Sequence, residues 1–253
     1  MTIVIPTLTA GEKLTRCLKS LSAQTFQDFE TAVVDNGGTV PESPGVRVFR
    51  PGKNLGFAAA VETAIAESSA NYFLTLNDDT VLDPQCLERL LETMEAMERC
   101  AACAPKIVLS QSQLLDSAGM SVARDGSSRQ RGHLEHPSKY DTPEPVLFPS
   151  GCAALYRRAA VAEAGGFDTD FFLYCEDTDL GLRLRRLGWT CWYEPRAIVY
   201  HDYSQTGGAA SASKVYFAER NRLAVLVKNF PLDWILLSPF YTAVRYVLHA
   251  RAL

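Results

Sequence analysis

Two pairs of neighbouring carboxylates, Asp78-Asp79 and Glu176-Asp177, are the residues of this chain best suited to chemistry. Asp78-Asp79 follows Asn77 at the end of the apolar run Tyr72-Phe-Leu-Thr-Leu76. Two acids at such a tip repel each other, and a divalent cation would relieve the repulsion. Hard oxygen ligands suit magnesium or manganese, which keep waters and bridge to phosphates. A solvated turn would account for the same residues, and both readings stand. Glu176-Asp177 opens a segment of helical periodicity, where carboxylates favour the helix dipole and capping alone would explain them. Spacing adds a detail. Asp177 shares a face with Leu180, Leu184 and Leu187, while Arg183, Arg185 and Arg186 point elsewhere. An inward carboxylate needs a partner or a task, and general-base work at a cleft wall is one such task. His201 closes the apolar run Ala197-Ile-Val-Tyr200 and is either structural or a ligand. His133, His136 and His249 lie in loop or tail contexts and receive no role.

The elements that must position these groups follow from hydrophobic periodicity. Strands are expected at Thr2 to Pro6, Phe29 to Val34, Val46 to Phe49 and Tyr72 to Leu76. Helices are expected after Gly11, with Leu14, Leu18 and Leu21 on one face, over Leu55 to Ala66, and from Asp83-Pro84, with aspartate at the cap and proline in the first turn. This β-α-β-α order implies a mostly parallel sheet. Thr7, Asp35 and Asn77-Asp78-Asp79 gather at the carboxyl ends of its strands, where open α/β sheets bind ligands. Residues 110–148 are polar and read as a hairpin and a loose excursion. Strands return over Phe148 to Tyr156, Trp189 to Tyr193 and Ala197 to Tyr200. Helices are expected over Glu176 to Leu187, closed by Gly188, and over Ala212 to Asn229, with a final apolar segment after Pro231. In Asn54-Leu-Gly-Phe57, Gly56 would allow a ligand close to a helix start.

Bulk properties bound the answer. The chain has 253 residues, 47% of them hydrophobic, enough for one large α/β domain with its own core. A net charge of -4 and the absence of a basic tract exclude a nucleic-acid binder. The seven cysteines are an odd number and mostly sit in apolar runs, as expected of buried thiols in a reducing cytoplasm. Cys100 and Cys103 form one CxxC with no second pair at zinc-site spacing. No basic n-region precedes the first strand, so no signal peptide is expected. There is no GxGxxG or Walker A motif and no Ser-His-Asp or Cys-His grouping.

These pieces occur together in an order that resembles the family 2 inverting glycosyltransferases of GT-A fold, and among them the bacterial rhamnosyltransferase-like enzymes. The resemblance runs from Ile3 to about Phe230. It rests on Val4-Ile-Pro-Thr7, Cys17-Leu-Lys-Ser-Leu21 with Gln24-Thr25, Val33-Val-Asp-Asn36, Asn54-Leu-Gly-Phe57 and Leu76-Asn-Asp-Asp-Thr80. Further on it rests on Ser150-Gly151, Gly165-Gly-Phe-Asp168, Phe171 to Leu180, Arg183, Gly188-Trp189, His201 and Arg220-Asn-Arg222. It implies an α/β fold of GT-A type, with a Rossmann-like, mostly parallel sheet, a small antiparallel part and C-terminal helices. It also implies a catalytic domain over 1–230, with a nucleotide half (1–110) and a sugar and acceptor half (111–230), and an apolar helical tail over 231–253.

Roles follow from the same resemblance. Pro6 and Thr7 would line the nucleoside pocket, Asp35 would hydrogen-bond a pyrimidine, and Asn54 and Gly56 would lie along the nucleotide. Asn77-Asp78-Asp79 matches the DXD region, with Asp78 near the ribose and Asp79 on Mg2+ or Mn2+. His201 would be a further metal ligand. Gly151, Asp168 and Glu176 would lie near the donor and acceptor sugars, and Asp177 would be the base. Asn77 at the first DXD position leaves the metal one carboxylate fewer. Ala58-Ala-Ala-Val-Glu62, where relatives often carry Gly and Asn, puts phosphate contacts there in question.

The implied reaction is a single in-line displacement on a nucleoside diphosphate sugar by a hydroxyl of a glycan or lipid-linked glycan, in the synthesis of surface polysaccharide. The donor would be dTDP-rhamnose or a UDP-hexose. A sugar nucleotidyltransferase would carry a glycine-rich basic loop after its first strand, where this chain has Thr7-Leu-Thr-Ala-Gly-Glu-Lys13. A non-catalytic nucleotide-sugar binder would have no need of both Asp79 and Asp177. Trp234 to Val244 is apolar but too short to span about 30 Å of hydrocarbon. Pro239 would kink it, and Lys228, Arg245 and Arg251 flank it. The tail either packs on protein, in this chain or in a homo-oligomer, or makes a peripheral contact with the cytoplasmic membrane face.

Overall fold

The computed structural model describes residues 1–202 and 212–252. The side chains of residues 249, 251 and 252 are outside that description, so Arg251 of the basic flank lies outside the described side chains.

The opening half folds as its periodicity demands. Strand β1 (Thr2–Thr7) is followed by helix α1 (Glu12–Ser22), β2 (Glu30–Asp35), β3 (Val46–Phe49), α2 (Ala58–Ala66) and β4 (Tyr72–Leu76). Strands β4, β1, β2 and β3 lie side by side in parallel. Alternate residues serve opposite faces, as strand geometry requires. Ile3, Ile5, Val33, Leu74 and Leu76 join Leu14, Cys17 and Leu21 of α1 in one core. Val4, Ala32, Val34 and Phe73 join Ala58, Val61 and Ala64 of α2 in the other.

Strand β5 (Thr80–Leu82) leads to α3 (Cys86–Ala96), which begins later than Asp83-Pro84 suggested. Asp83 still works at that end, its Oδ1 accepting from Gln85 N at 3.1 Å. Then come β6 (Cys100–Leu109), β7 (Leu115–Ser117), the hairpin β8 (Met120–Val122) and β9 (Ser128–Gln130), and β10 (Glu144–Val146). The stretch read as a loose excursion therefore carries short strands, all but the hairpin joined to the main sheet.

Strand β11 (Ala153–Arg157) runs antiparallel between β4 and β6, and starts later than the expected strand from Phe148. Helices α4 (Arg158–Glu163) and α5 (Glu176–Arg186) precede β12 (Thr190–His201), a single strand parallel to β6. Two strands were expected there. Their junction is a register shift between Glu194 and Ile198. The main sheet runs β10-β12-β6-β11-β4-β1-β2-β3, so β12, β6, β4, β1, β2 and β3 all point their carboxyl ends to one edge. The architecture is α/β with a mostly parallel main sheet, a small antiparallel hairpin and C-terminal helices, as expected.

Helices α6 (Ala212–Asn229) and α7 (Leu232–Ala252) end the chain. Pro239 lies inside α7 without ending it. Proline removes the N–H that would bond Ile235 O one turn back, and Ser238 Oγ donates to that carbonyl instead, at 2.8 Å. Among the described residues no helix is long and apolar enough to cross a membrane. All seven cysteines are free; six are buried and Cys175 is partly so. Burial pushes the Cys100 thiol up to about 11 and Cys103 well above its usual value.

Candidate active site

The carboxyl edge of the sheet collects Thr7 from β1, Asp35 from β2, Asn77-Asp78-Asp79 after β4 and His201 from β12. Thr7 is buried, beside the partly buried Pro6, and its hydroxyl donates to Asp78 Oδ2. Burial raises the Asp78 carboxyl, with the Thr7 bond opposing and the Asp79 charge adding to the rise.

Asp79 is 6% exposed and faces the ring of His201, with Oδ1 3.3 Å from Nε2. On the other side of the ring, His201 Nδ1 lies 2.8 Å from Asp116 Oδ2. Asp116, on β7, is 1% exposed, and its Oδ1 accepts from Gln130 Nε2 at 2.7 Å. With Nδ1–H given to Asp116, a neutral ring would turn its Nε2 lone pair on the Asp79 carboxylate. A proton or a cation between them removes that conflict. Burial pulls the His201 imidazolium down, while the Cys152 sulfur and the Asp116 and Asp79 carboxylates hold it up, and the upward direction wins. Ligands about 2.1 Å from an ion and at right angles stand about 3 Å apart, so the pair also fits a divalent cation. Imidazole backed by carboxylate is a common way to orient a metal ligand. Among the described residues no group of three or more His, Cys, Asp or Glu side chains is arranged to hold an ion. Magnesium and manganese tolerate this, since they retain water and take phosphate oxygens.

Asp177, in the first turn of α5, is partly buried. Its Oδ2 accepts from Gly151 N at 2.9 Å and its Oδ1 from Thr178 N at 2.6 Å and Thr178 Oγ1 at 3.1 Å. Cys152, next to Gly151, accepts from Asn77 N at 2.8 Å. The Gly151-Cys152 step therefore joins the two acidic segments, touching Asp177 on one side and Asn77 on the other. Glu176 is 5% exposed, and its Oε2 has no hydrogen-bond partner. Burial, and then the Asp177 charge, push its carboxyl up to about 8. Burial also raises Asp177, but the Gly151 and Thr178 donors oppose that. The donors around Asp177 favour keeping the pair's proton on Glu176 and the negative charge on Asp177. Of the apolar face expected for α5, Leu180 and Leu184 are fully buried, whereas Leu187 is 40% exposed, because the helix has already ended.

Four of the expected residues have partners within the chain. Asp35 is 2% exposed, and its oxygens accept from the N–H groups of Gly38, Thr39 and Val40 at 2.7, 3.1 and 2.8 Å. Burial raises its carboxyl, but these donors outweigh that and bring it below the usual range. These bonds tie Asp35 into its own loop. Gly56 has φ +75°, and a Cβ there would lie 2.1 Å from Phe172 O, so its missing side chain admits a carbonyl of this chain. Asn54 uses Oδ1 on Gly56 N at 2.8 Å, within its own turn. Asp168 caps the short turn Thr169–Phe171 and pairs with Lys228. Sequence reasoning missed Asp116, a lone acid in a polar stretch, 85 residues from its histidine.

The model of a family described as Glycosyl transferase family 2 matches residues 2–165. The chain is 29% identical over 276 residues to the N-acetylglucosaminyl-diphospho-decaprenol L-rhamnosyltransferase of Mycobacterium tuberculosis, covering 93% of this chain and 90% of the relative. It is 26% identical to the pre-mycofactocin glycosyltransferase of the same organism, of which it spans 52%. In fold it is similar to a crystal structure of GalNAc-T7 with UDP, GalNAc and Mn2+, with a TM-score of 0.73 at 15% identity. That match covers 89% of this chain and 48% of the other.

Proposed function

The chain belongs to glycosyl transferase family 2, and from that premise we propose that it is a metal-dependent, inverting enzyme that moves a sugar from a nucleoside diphosphate to a hydroxyl of a lipid-linked glycan. The observation that carries this reading is the Gly151-Cys152 step, which holds Asp177 and the Asn77-Asp78-Asp79 turn on either side of one point. In this reading residues 1–110 serve the nucleotide, 111–230 serve the sugars, and 231–253 form an appended tail. The rhamnosyltransferase likeness favours dTDP-rhamnose as donor and an N-acetylglucosaminyl diphosphate lipid as acceptor, with a UDP-hexose second.

Asp177 takes the proton of the acceptor hydroxyl as that oxygen attacks the anomeric carbon from the face opposite the diphosphate. The Gly151 and Thr178 donors fix its carboxylate toward the acceptor. Glu176, protonated, adds no second negative charge beside the base. Asp79 and His201 would hold Mg2+ or Mn2+, which stabilises the negative charge of the departing diphosphate. Asp116 keeps the His201 ring in register for that task. Thr7 and Asp78, joined by their hydrogen bond, line the nucleoside side of the cleft.

The tail fits a lipid-linked acceptor. Ser238, Thr242 and Arg245 turn toward α6 and the β8–β9 hairpin, Arg245 Nε lying 2.7 Å from Asp125 Oδ2. The opposite side shows Leu232, Leu236 and Phe240, 70%, 71% and 65% exposed. A helix with its polar side inward and its apolar side outward suits the headgroup region of a bilayer.

The test is diphosphate release with and without acceptor. Asp177→Asn is expected to lower turnover about 10²–10⁴-fold while leaving UDP or dTDP binding with Mn2+ intact. Near-parental turnover of this variant would exclude Asp177 as the base.

A further inference from the structure

The loop that delivers Glu176 and Asp177 to the site is strained. Phe172, Tyr174 and Cys175 have φ of 60°, 71° and 68°, in the left-handed region that side chains avoid. Such a backbone persists only where its surroundings hold it. It also leaves carbonyls that no helix or strand employs, and buried carbonyls require donors.

Two consecutive residues of α6 supply them, and a third beside them reaches the hairpin turn. Arg220 Nη2 donates to Asp170 O at 2.9 Å. Asn221 Nδ2 donates to Phe171 O, Leu173 O and Tyr174 O at 2.7, 2.8 and 2.7 Å. Arg222 Nη1 donates to Asp125 O at 2.6 Å, in the hairpin turn. That hairpin reaches the site as well, since Ser128 Oγ shares a hydrogen bond with Thr178 Oγ1. From the other side, Phe57 N donates to Phe172 O at 2.6 Å. Asn221 is 1% exposed, and its Oδ1 accepts from Arg220 Nη1 at 3.2 Å, which orients its amide with the NH2 toward the loop. A neutral amide suits this place. It brings two donors to a cluster of carbonyls without burying a charge, whereas a carboxylate would be repelled.

We infer that Asn221 is a positioning residue for transfer: it holds residues 171–174 in the strained form that sets the Asp177 carboxylate against Gly151, and it touches neither substrate nor reacting atoms. The inference rests on the reading of Asp177 as the base.

The experiment uses the full chain with Asn221→Ala, Asn221→Asp and Asn221→Ser, alongside Asp177→Asn. It measures UDP and dTDP affinity with Mn2+, transfer from dTDP-rhamnose to an N-acetylglucosaminyl diphosphate lipid, and amide exchange over residues 171–177. With Asn221→Ala and Asn221→Asp, nucleotide affinity should be unchanged, kcat should fall about 100-fold, as misplacement by about 1 Å can cause, and exchange should rise within 171–177. Asn221→Ser, which retains one donor, should fall between these and the parent, and it stands in for either variant that fails to fold. Parental kcat in a folded Asn221 variant while Asp177→Asn is impaired would overturn the inference alone. An equal loss of nucleotide affinity and kcat would overturn it too, since it would mark a merely structural residue. Parental kcat in Asp177→Asn would remove the base assignment and the inference together.

Discussion

At the scale of single residues, environment divides the labour among the acids. Asp177 and Glu176 are chemically alike, yet one accepts three hydrogen bonds and the other leaves an oxygen unpaired. The difference has a consequence for stability. Glu176 rises from 4.5 to about 8 on folding, so between those pH values the folded chain holds a proton that the unfolded chain has released. Stability contributed by this group therefore declines as pH climbs through that window and is level beyond it, at roughly 1.4 kcal/mol per pH unit. Glu176→Gln should flatten the decline and melt higher than the parent at pH 9. Parallel curves of melting temperature against pH for the two proteins would contradict the assignment. A second prediction concerns Asp116. Asp116→Asn should weaken Mn2+ binding about 10–100-fold, the usual effect of removing a carboxylate behind a ligating imidazole. Titration of Mn2+ by electron paramagnetic resonance measures it without turnover, and unchanged affinity would leave Asp116 a purely structural acid.

At the scale of elements, the site is an agreement between turns. The turn before α2 and the loop before α5 meet at Gly56 and Phe172 so closely that only glycine fits. Gly56→Ala would face both the clash and a left-handed backbone, the latter alone costing about 1–2 kcal/mol. Thermal unfolding should show a drop of several degrees, and an unchanged midpoint would mean that the two turns can separate freely. This scale also divides what was legible in the sequence from what was not. The strands of the opening half were legible because alternate apolar residues build two cores, and the acids at their tips were legible by position. The direction of β11 was not, because a strand's composition is the same whichever way it runs. β12 was read as two strands because Glu194-Pro195-Arg196 interrupts its apolar pattern, although the chain passes this point with a shift of register. The roles of Asp116 and of Asn221, which sits in Arg220-Asn-Arg222, were hidden for another reason. One works through a histidine far along the chain and the other through backbone carbonyls, and neither kind of partner leaves a local signature.

At the scale of the whole molecule, the balance is between a closed α/β body and an unusual pair of helices. Helix α7 is pinned by Arg245 to Asp125 and Glu219, so its apolar side is held outward. In flotation with anionic liposomes, the full chain is expected to rise with the lipid, and a chain ending at Phe230 to stay below while still folded. Equal flotation of both would return the tail to protein packing, and a concentration-dependent dimer of the full chain alone would identify a second copy as its cover. The distribution of sulfur offers another view of the same molecule. Six thiols lie shut in the body, and the seventh, Cys175, is in the strained loop beside the acids. Treated with an alkylating reagent under native conditions, the protein would record its own openings. A mass tag on Cys175 alone would report a momentary release of the loop, and tags on the other six would report the rarer event in which the whole body comes apart.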